Sequence, residues 1–169
     1  MERSLPGVRH LLRQVAFQTL FQLEMNPSAN ELDAIYNSFV KQSESEKEFD
    51  FASLEEILQQ GLPKPYQNDD IVRDSQIFLN QLIDGVQENK KELDQIIDEN
   101  MKDWNISRIN RTYLIILRIA VYELLYMLET DPRIVMNEAI ELAKEFSDQK
   151  SSQFINGVLQ GVQDSKKEA

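Results

Sequence analysis

One stretch, residues 109–128, constrains the fold more than any other part of the chain. Its sequence, INRTYLIILRIAVYELLYML, is very apolar and carries charge only at Arg111, Arg118 and Glu123. Apolar residues recur at helical spacing along one side of it and form a second strip on another side. A helix that is apolar on more than one face must be covered on more than one face. The pattern therefore predicts the central helix of an all-α domain.

Two other structures could contain so apolar a stretch. The run Leu114–Ile116 would suit a buried strand, but roughly 20 residues without Gly or Pro exceed the usual strand length of about 4–8. A membrane span would place two arginines and a glutamate inside the bilayer, which is costly. The opening sequence, MERSLPGVRH, has no long apolar segment of the kind found in signal peptides. A soluble, cytosolic protein is expected.

Composition argues against most enzyme chemistry. The chain has no cysteine, which excludes thiolate metal sites and cysteine nucleophiles. It has a single histidine, His10, which disfavours histidine-based metal sites and catalytic triads. None of its five glycines belongs to a phosphate-binding loop. Glu138, Glu141 and Glu145 are spaced like a row of metal-binding carboxylates, but no histidine lies nearby, and a solvated face is the simpler interpretation. We expect no enzyme activity, cofactor or metal.

Apolar spacing predicts seven further helices, and together with the central one they indicate a single domain over residues 1–169. Three of these helices have a predicted N-cap: Asn89, Asp131, and Ser151 or Ser152 for the last one. We expect an N-terminal helical subdomain at 8–103 and a C-terminal helical subdomain at 104–164. Residues 42–69 are acidic, contain a capping box at Ser53 and Glu56, and are interpreted as a surface insertion. A binding element for a basic partner is the alternative. Trp104 is either an anchor between the two halves or, less simply, a stacking platform.

Charge is unevenly distributed along the chain. The net charge is −11, which taken alone argues against nucleic-acid binding. The first helix, predicted from about residue 8 to 24, nevertheless has a face that combines Arg9, His10 and Arg13 with Phe17 and Phe21. Such a face suits single-stranded RNA, because cations contact phosphates and rings stack on bases. The alternative is that the two rings are core residues and the arginines are merely solvated.

The last helix has a similar edge. Phe154 lies at the border of its apolar stripe, beside Gly157 and Gly161. Each glycine in a helix costs about 1 kcal/mol relative to alanine. Such a cost suggests that something approaches the backbone closely, either a neighbouring helix or, less simply, an RNA strand.

Four segments in this order resemble the NusB family of bacterial transcription antitermination factors. They are RHLLRQVAFQTLFQLE at 9–24, WNISRINRTYLIILRIAVYELLYM at 104–127, PRIVMNEAIELAKEF at 132–146 and SSQFINGVLQG at 151–161. The resemblance implies two small helical bundles packed together and a non-enzymatic protein that pairs with the ribosomal protein NusE. The pair would bind boxA RNA and assemble on RNA polymerase to suppress termination in ribosomal RNA operons. A homodimer is a further possibility, since some members self-associate.

The resemblance also implies site residues. RNA contacts are expected at Arg9, His10, Arg13, Phe21, Lys150, Ser152 and Phe154, and partner contacts at Arg111, Tyr113 and Arg118. The usual dense run of arginines in the first helix is thinned here by Leu11 and Leu12, so RNA affinity of the chain alone is expected to be weak. Two other functions remain open: a helical protein–protein or dimerisation module without RNA contact, and an accessory domain of an RNA methyltransferase.

Overall fold

The described part of the chain is entirely helical. The computed structural model describes residues 6–43, 49–102 and 106–168, and within them there are eight α-helices, two short 3-10 turns and no strand. The α-helices are α1 Pro6–Met25, α2 Glu31–Ser43, α3 Leu54–Gly61, α4 Asp69–Glu88, α5 Lys90–Glu99, α6 Arg111–Tyr126, α7 Pro132–Phe146 and α8 Gln149–Glu168. The 3-10 turns are Lys64–Tyr66 and Ile106–Arg108. The predicted all-α fold class is confirmed. No helix among these residues is both long and apolar enough to cross a membrane.

The chain forms two compact units, one ending at Ile83 and the other starting at Asp84. The division falls inside α4, earlier than the boundary at 103/104 expected from sequence. The reason is that α5 packs against α6 and α8 of the second unit. Trp104, the expected anchor, lies outside the described residues.

In the first unit, α1 packs along α2 and α3 adds to α2. The stretch expected to be a surface insertion is part of this core where it is described. Ile57 and Leu58 of α3 are completely buried, and Leu62 is nearly so. The Ser53 half of the predicted capping box is confirmed, since the backbone N–H of Glu56 donates to Oγ of Ser53 at 3.2 Å. Surface placement was therefore wrong for α3, whose apolar spacing outweighs the acidic composition around it; residues 44–48 lie outside the described ranges.

In the second unit, α6 occupies the centre. Every residue from Ile115 to Leu124 is buried, and α5, α7 and α8 all pack against this helix. Burial on all sides explains why the stretch is apolar around its whole circumference. Gly85, in the last turn of α4, lies directly against the ring of Tyr122, so that a Cβ there would be 2.1 Å from the tyrosine Cζ. Glycine is required at this position by close packing.

Helix starts in the second unit follow local capping chemistry, with one exception at α5. Asn110 accepts a hydrogen bond from the N–H of Tyr113 at 2.9 Å, and Asp131 accepts one from the N–H of Arg133 at 2.8 Å, the latter as predicted. Asn89, the expected cap of α5, makes no such bond, because its amide donates backwards to the carbonyl of Gly85.

The start of α8 was predicted at Ser151 or Ser152 and lies earlier. Asp148 accepts the N–H of Ser151 at 2.8 Å and is therefore the capping residue. The hydroxyls of Ser151 and Ser152 instead donate to the carbonyls of Asp148 and Gln149, each at 2.6 Å. Serine hydroxyls in a first helical turn can bond back to the preceding carbonyls, and here that leaves the capping role to the aspartate.

Candidate nucleic-acid interface

The first helix has a basic face, but its two arginines are engaged within their own unit. Nη2 of Arg9 donates to Asp74 at 3.1 Å, and the guanidinium carbon lies 4.1 Å from the centre of the Phe78 ring. Nε of Arg9 is buried and has no hydrogen-bond partner. The side chain keeps 24% of its surface exposed. Arg9 is therefore accessible, with its charge already balanced by a carboxylate.

Arg13 was expected to contact RNA, and the structure corrects that expectation. Its exposed fraction is 2%, and its guanidinium carbon lies 5.3 Å from the centre of the Phe78 ring. Phe17 is buried too, which favours the core interpretation for this ring. Phe21, half-buried, packs against Phe17 with ring centroids 6.0 Å apart. His10 is half-buried. A helix of 20 residues in a small bundle has too few solvent-facing positions for all these side chains to be available.

The first half of α8 has a more open edge. Lys150 is exposed, Phe154 is half-buried, and Gly157 is exposed with no atom within 4 Å of where a Cβ would stand. Gly161 differs, because Oδ1 of Asn100 would be 2.6 Å from its Cβ. Only Gly161 is thus explained by an intramolecular approach. Ser152, predicted to contact RNA, is 8% exposed, and its hydroxyl is used within the helix, so it is not presented to a ligand.

A pocket of about 490 Å³ opens between α6 and α8 of the second unit. We call it the two-ring pocket, and its lining includes Arg108, Asn110, Tyr113, Asp148, Lys150 and Phe154. The rings of Tyr113 and Phe154 have centroids 6.0 Å apart and planes inclined by 36°. This separation is within the range of attractive aromatic pairs. Two residues that the sequence assigned to different partners therefore lie side by side.

The remaining partner residues on α6 divide into two environments. Arg111 is exposed at the first turn. Arg118 is buried, and its Nε and Nη2 donate to the two carboxylate oxygens of Asp94 at 2.7 and 2.8 Å. A bidentate pair of this kind is strong and geometrically specific. The expectation of an exposed edge at Arg118 is wrong, because this side chain ties α6 to α5.

Three lining residues of the two-ring pocket were not singled out from the sequence: Arg108, Asn110 and Asp148. Asn110 and Asp148 carry a local signal, since each is an Asn or Asp immediately before an amphipathic segment. That signal predicts a helix start, and it does not show that two helix starts converge. Arg108 lies in a 3-10 turn and has no sequence signal of its own.

The row of glutamates on α7, at positions 138, 141 and 145, does not assemble with other described side chains into a metal site. Glu141 is exposed and lies 3.8 Å from the ammonium of Lys144. Across the described ranges, no three His, Cys, Asp or Glu side chains come together as a metal site would need.

Comparison with known proteins now identifies the family. A profile of the NusB family matches residues 10–164, which is nearly the whole chain. The chain belongs to the NusB family. Among curated NusB proteins, the transcription antitermination protein NusB of Ligilactobacillus salivarius is 39% identical over 155 residues, covering 91% of this chain and 96% of the relative. That of Staphylococcus haemolyticus is 37% identical over 150 residues, covering 89% and 94%.

Solved structures agree on the fold. A crystal structure of the antitermination factors NusB and NusE in complex with double-stranded RNA superposes with a TM-score of 0.67 at 20% identity, covering 95% of this chain and 99% of that one. At this identity the likeness establishes the NusB fold alone. The NusB family consists of transcription antitermination factors and not of enzymes, and this chain is a NusB antitermination factor.

Proposed function

We propose that this chain pairs with the ribosomal protein NusE and binds boxA-type single-stranded RNA in ribosomal RNA transcripts. In this proposal it acts in the cytoplasm, within the antitermination complex on RNA polymerase, and does no chemistry itself. Family membership supports the proposal, as does the partnership of NusB with NusE and RNA in the crystal structure described above.

The observation that carries the proposal is the open edge of α8. An exposed cation at Lys150, an accessible ring at Phe154 and an unobstructed backbone at Gly157 follow one another along the helix. Cations and stacking rings together are the usual means of binding single strands. Because the chain as a whole carries −11, the polyanion would be repelled from most of the surface and confined to such an edge.

The first helix would contribute less than the resemblance implies. Asp74 already neutralises Arg9, and Arg13 is buried. A phosphate that approaches Arg9 must compete with this carboxylate. We therefore expect low RNA affinity for the chain alone and a clear increase once NusE is bound. In an exposed pair of this kind the competition is worth at most about 1 kcal/mol, so Asp74→Asn should raise RNA affinity by no more than about fivefold.

The test is fluorescence anisotropy with a labelled ribosomal leader RNA that contains boxA, and with a scrambled RNA, each with and without NusE. Lys150→Gln should lower the affinity of the NusE complex and reduce the slope of log K against log salt by about 0.7, the value for one phosphate contact on a single strand. Lys167→Gln is the matched control, because Lys167 is an exposed lysine near the far end of the same helix. It should change neither quantity.

A protein–protein module without RNA contact is the competing function, and the burial of Arg13 favours it. In that case NusE would bind, but RNA affinity would not rise, and Lys150→Gln would behave like Lys167→Gln. Equal binding of boxA and scrambled RNA would instead contradict the boxA part of the proposal while leaving RNA binding intact.

A further inference from the structure

The two-ring pocket is lined by residues that were expected to contact different partners, one a protein and the other RNA. The chemistry of its lining suits RNA. Tyr113 was assigned to a protein partner and Phe154 to RNA, yet both rings line the same cavity. Both side chains are half-buried, so each ring keeps part of its surface accessible. The volume of about 490 Å³ falls within the range of about 300–1,000 Å³ that is typical of pockets for small organic groups.

The charges at the pocket favour an anion. Arg108 and Lys150 are both exposed, and neither forms an ion pair with another described residue. Asp148 is the single acid in the lining, and one of its oxygens accepts the N–H of Ser151. A local excess of positive charge in a chain of net charge −11 points to a phosphate-bearing occupant rather than an apolar peptide.

The hydrogen-bonding groups agree with a nucleotide. Oδ1 of Asn110 is occupied by the N–H of Tyr113, so its side-chain nitrogen is left to donate. Such a donor suits the carbonyl or ring-nitrogen acceptors on the edge of a base. The pocket also lies where α6 and α8 both begin, and helix N-termini add to the attraction for a phosphate.

We propose that the two-ring pocket holds one unstacked base of single-stranded RNA against Tyr113 and Phe154, with the adjoining phosphates at Arg108 and Lys150. This inference rests on the proposed function and extends it: Tyr113 becomes an RNA-binding residue, and the strand reaches the start of α6 as well as α8. The base stacks on the accessible parts of the two rings rather than entering between them, since their centroids are 6.0 Å apart.

The experiment measures RNA affinity of the NusE complex for Tyr113→Leu, Phe154→Leu and the double variant. Leucine keeps apolar bulk and removes the stacking surface. Because stacking of one base contributes about 1–3 kcal/mol, each single variant should weaken binding by about 5- to 150-fold. The double variant should lose less than the product of the two single losses, because both rings hold the same base. Tyr113→Phe should bind almost like the unmodified chain.

A second readout does not depend on affinity. RNA carrying 5-iodouridine at one position at a time is irradiated in the complex, and the adducts are located by peptide mapping. Crosslinks from one nucleotide position to both Tyr113 and Phe154 support the pocket.

In the affinity measurements, Tyr126→Leu is the matched control for Tyr113→Leu, because Tyr126 is an exposed tyrosine at the opposite end of α6. Circular dichroism spectra and melting curves verify that each variant is folded.

Different failures have different meanings. If Phe154→Leu and Lys150→Gln weaken RNA binding but Tyr113→Leu does not, the two-ring pocket is refuted and the proposed function stands. If Tyr113→Leu weakens only the binding of NusE, Tyr113 belongs to a protein interface and the inference is again overturned. If no variant changes RNA binding, the proposed function fails together with the pocket.

Discussion

Replacement of Gly85 by alanine is expected to destabilise the second unit, although alanine is the better helix former. A Cβ at this position would lie 2.1 Å from Cζ, 2.3 Å from Oη and 2.4 Å from Cε1 of Tyr122. All three distances are far below van der Waals contact. The ring cannot easily move away, because Tyr122 is only 7% exposed and sits on the central helix of its unit.

The magnitude follows from two opposing terms. Overpacking of a buried site costs typically about 1–3 kcal/mol, and a clash with two ring carbons and the hydroxyl oxygen belongs at the upper end. Alanine regains about 1 kcal/mol of helix propensity over glycine. The net loss in the free energy of unfolding should therefore be roughly 2 kcal/mol.

The assay is urea denaturation followed by far-ultraviolet circular dichroism. Gly157→Ala is the matched control, because Gly157 is also helical but has no atom within 4 Å of a Cβ. This control should gain up to about 1 kcal/mol, so the two substitutions should have opposite signs. In a Tyr122→Ala background, Gly85→Ala should cease to be harmful, since the clashing ring is gone. A Gly85→Ala variant as stable as the Gly157→Ala variant would refute the close-packing argument.

Two other variants test electrostatic contacts. Asp94→Asn removes the carboxylate charge to which the Arg118 guanidinium donates two hydrogen bonds, and the arginine side chain is only 6% exposed. We expect a loss of about 3 kcal/mol in the free energy of unfolding, at the low end for a disrupted buried pair because Asp94 is 28% exposed. Unchanged stability with weakened NusE binding would return Arg118 to a partner role. The hydrogen bonds that the side chain and backbone of Arg133 donate to Asp131 hold the pKa of that carboxyl below its ordinary value of 3.8. The ionised form is thus the stabilising one, so the stability advantage over Asp131→Asn should be complete above about pH 4 and disappear as pH falls through the lowered pKa, as melting curves across this range would show. An advantage that grows on acidification would contradict this sign.

The structure changes the expected balance between the two helices that carry the RNA-binding residues. On α1, Arg9 faces a carboxylate and Arg13 is buried, whereas on α8 Lys150 has no ion-pair partner among the described residues. If the proposed function is right, α8 and the start of α6 should dominate the salt dependence of RNA binding. Because few cations on α1 remain available, the chain would then depend on NusE for its affinity for RNA.

Much of the secondary structure was predictable because it depends on neighbours along the chain. Apolar spacing identified all eight helices of the described residues, and Ser53 and Asp131 were correctly assigned as caps. Asn89 lies at the predicted start of α5 but makes no capping hydrogen bond, and the capping role predicted for Ser151 or Ser152 belongs to Asp148, because several polar side chains compete locally for the same backbone groups. The acidic composition around α3 was also misleading, since burial follows the apolar stripe of a helix and not its average polarity.

The site was predictable only in part. Lys150, Phe154 and Tyr113 were each predicted to be binding residues from the sequence. Their position in one shared pocket was not predicted. The sequence treated Arg13 and Arg118 as surface cations, and both are buried. Helical periodicity gives the direction of a side chain relative to its own helix and says nothing about which neighbour covers it.

The sequence by itself determined the family, the all-α fold class and the central position of residues 109–128, because helix formation and apolar periodicity are local properties. Only the tertiary structure decided which charges remain available and which rings meet. Arg118 became a structural contact because Asp94 is brought to it by the packing of α5 on α6. The two-ring pocket exists because α6 and α8 pack together, bringing Tyr113 and Phe154, 41 positions apart in the chain, within 6.0 Å of each other.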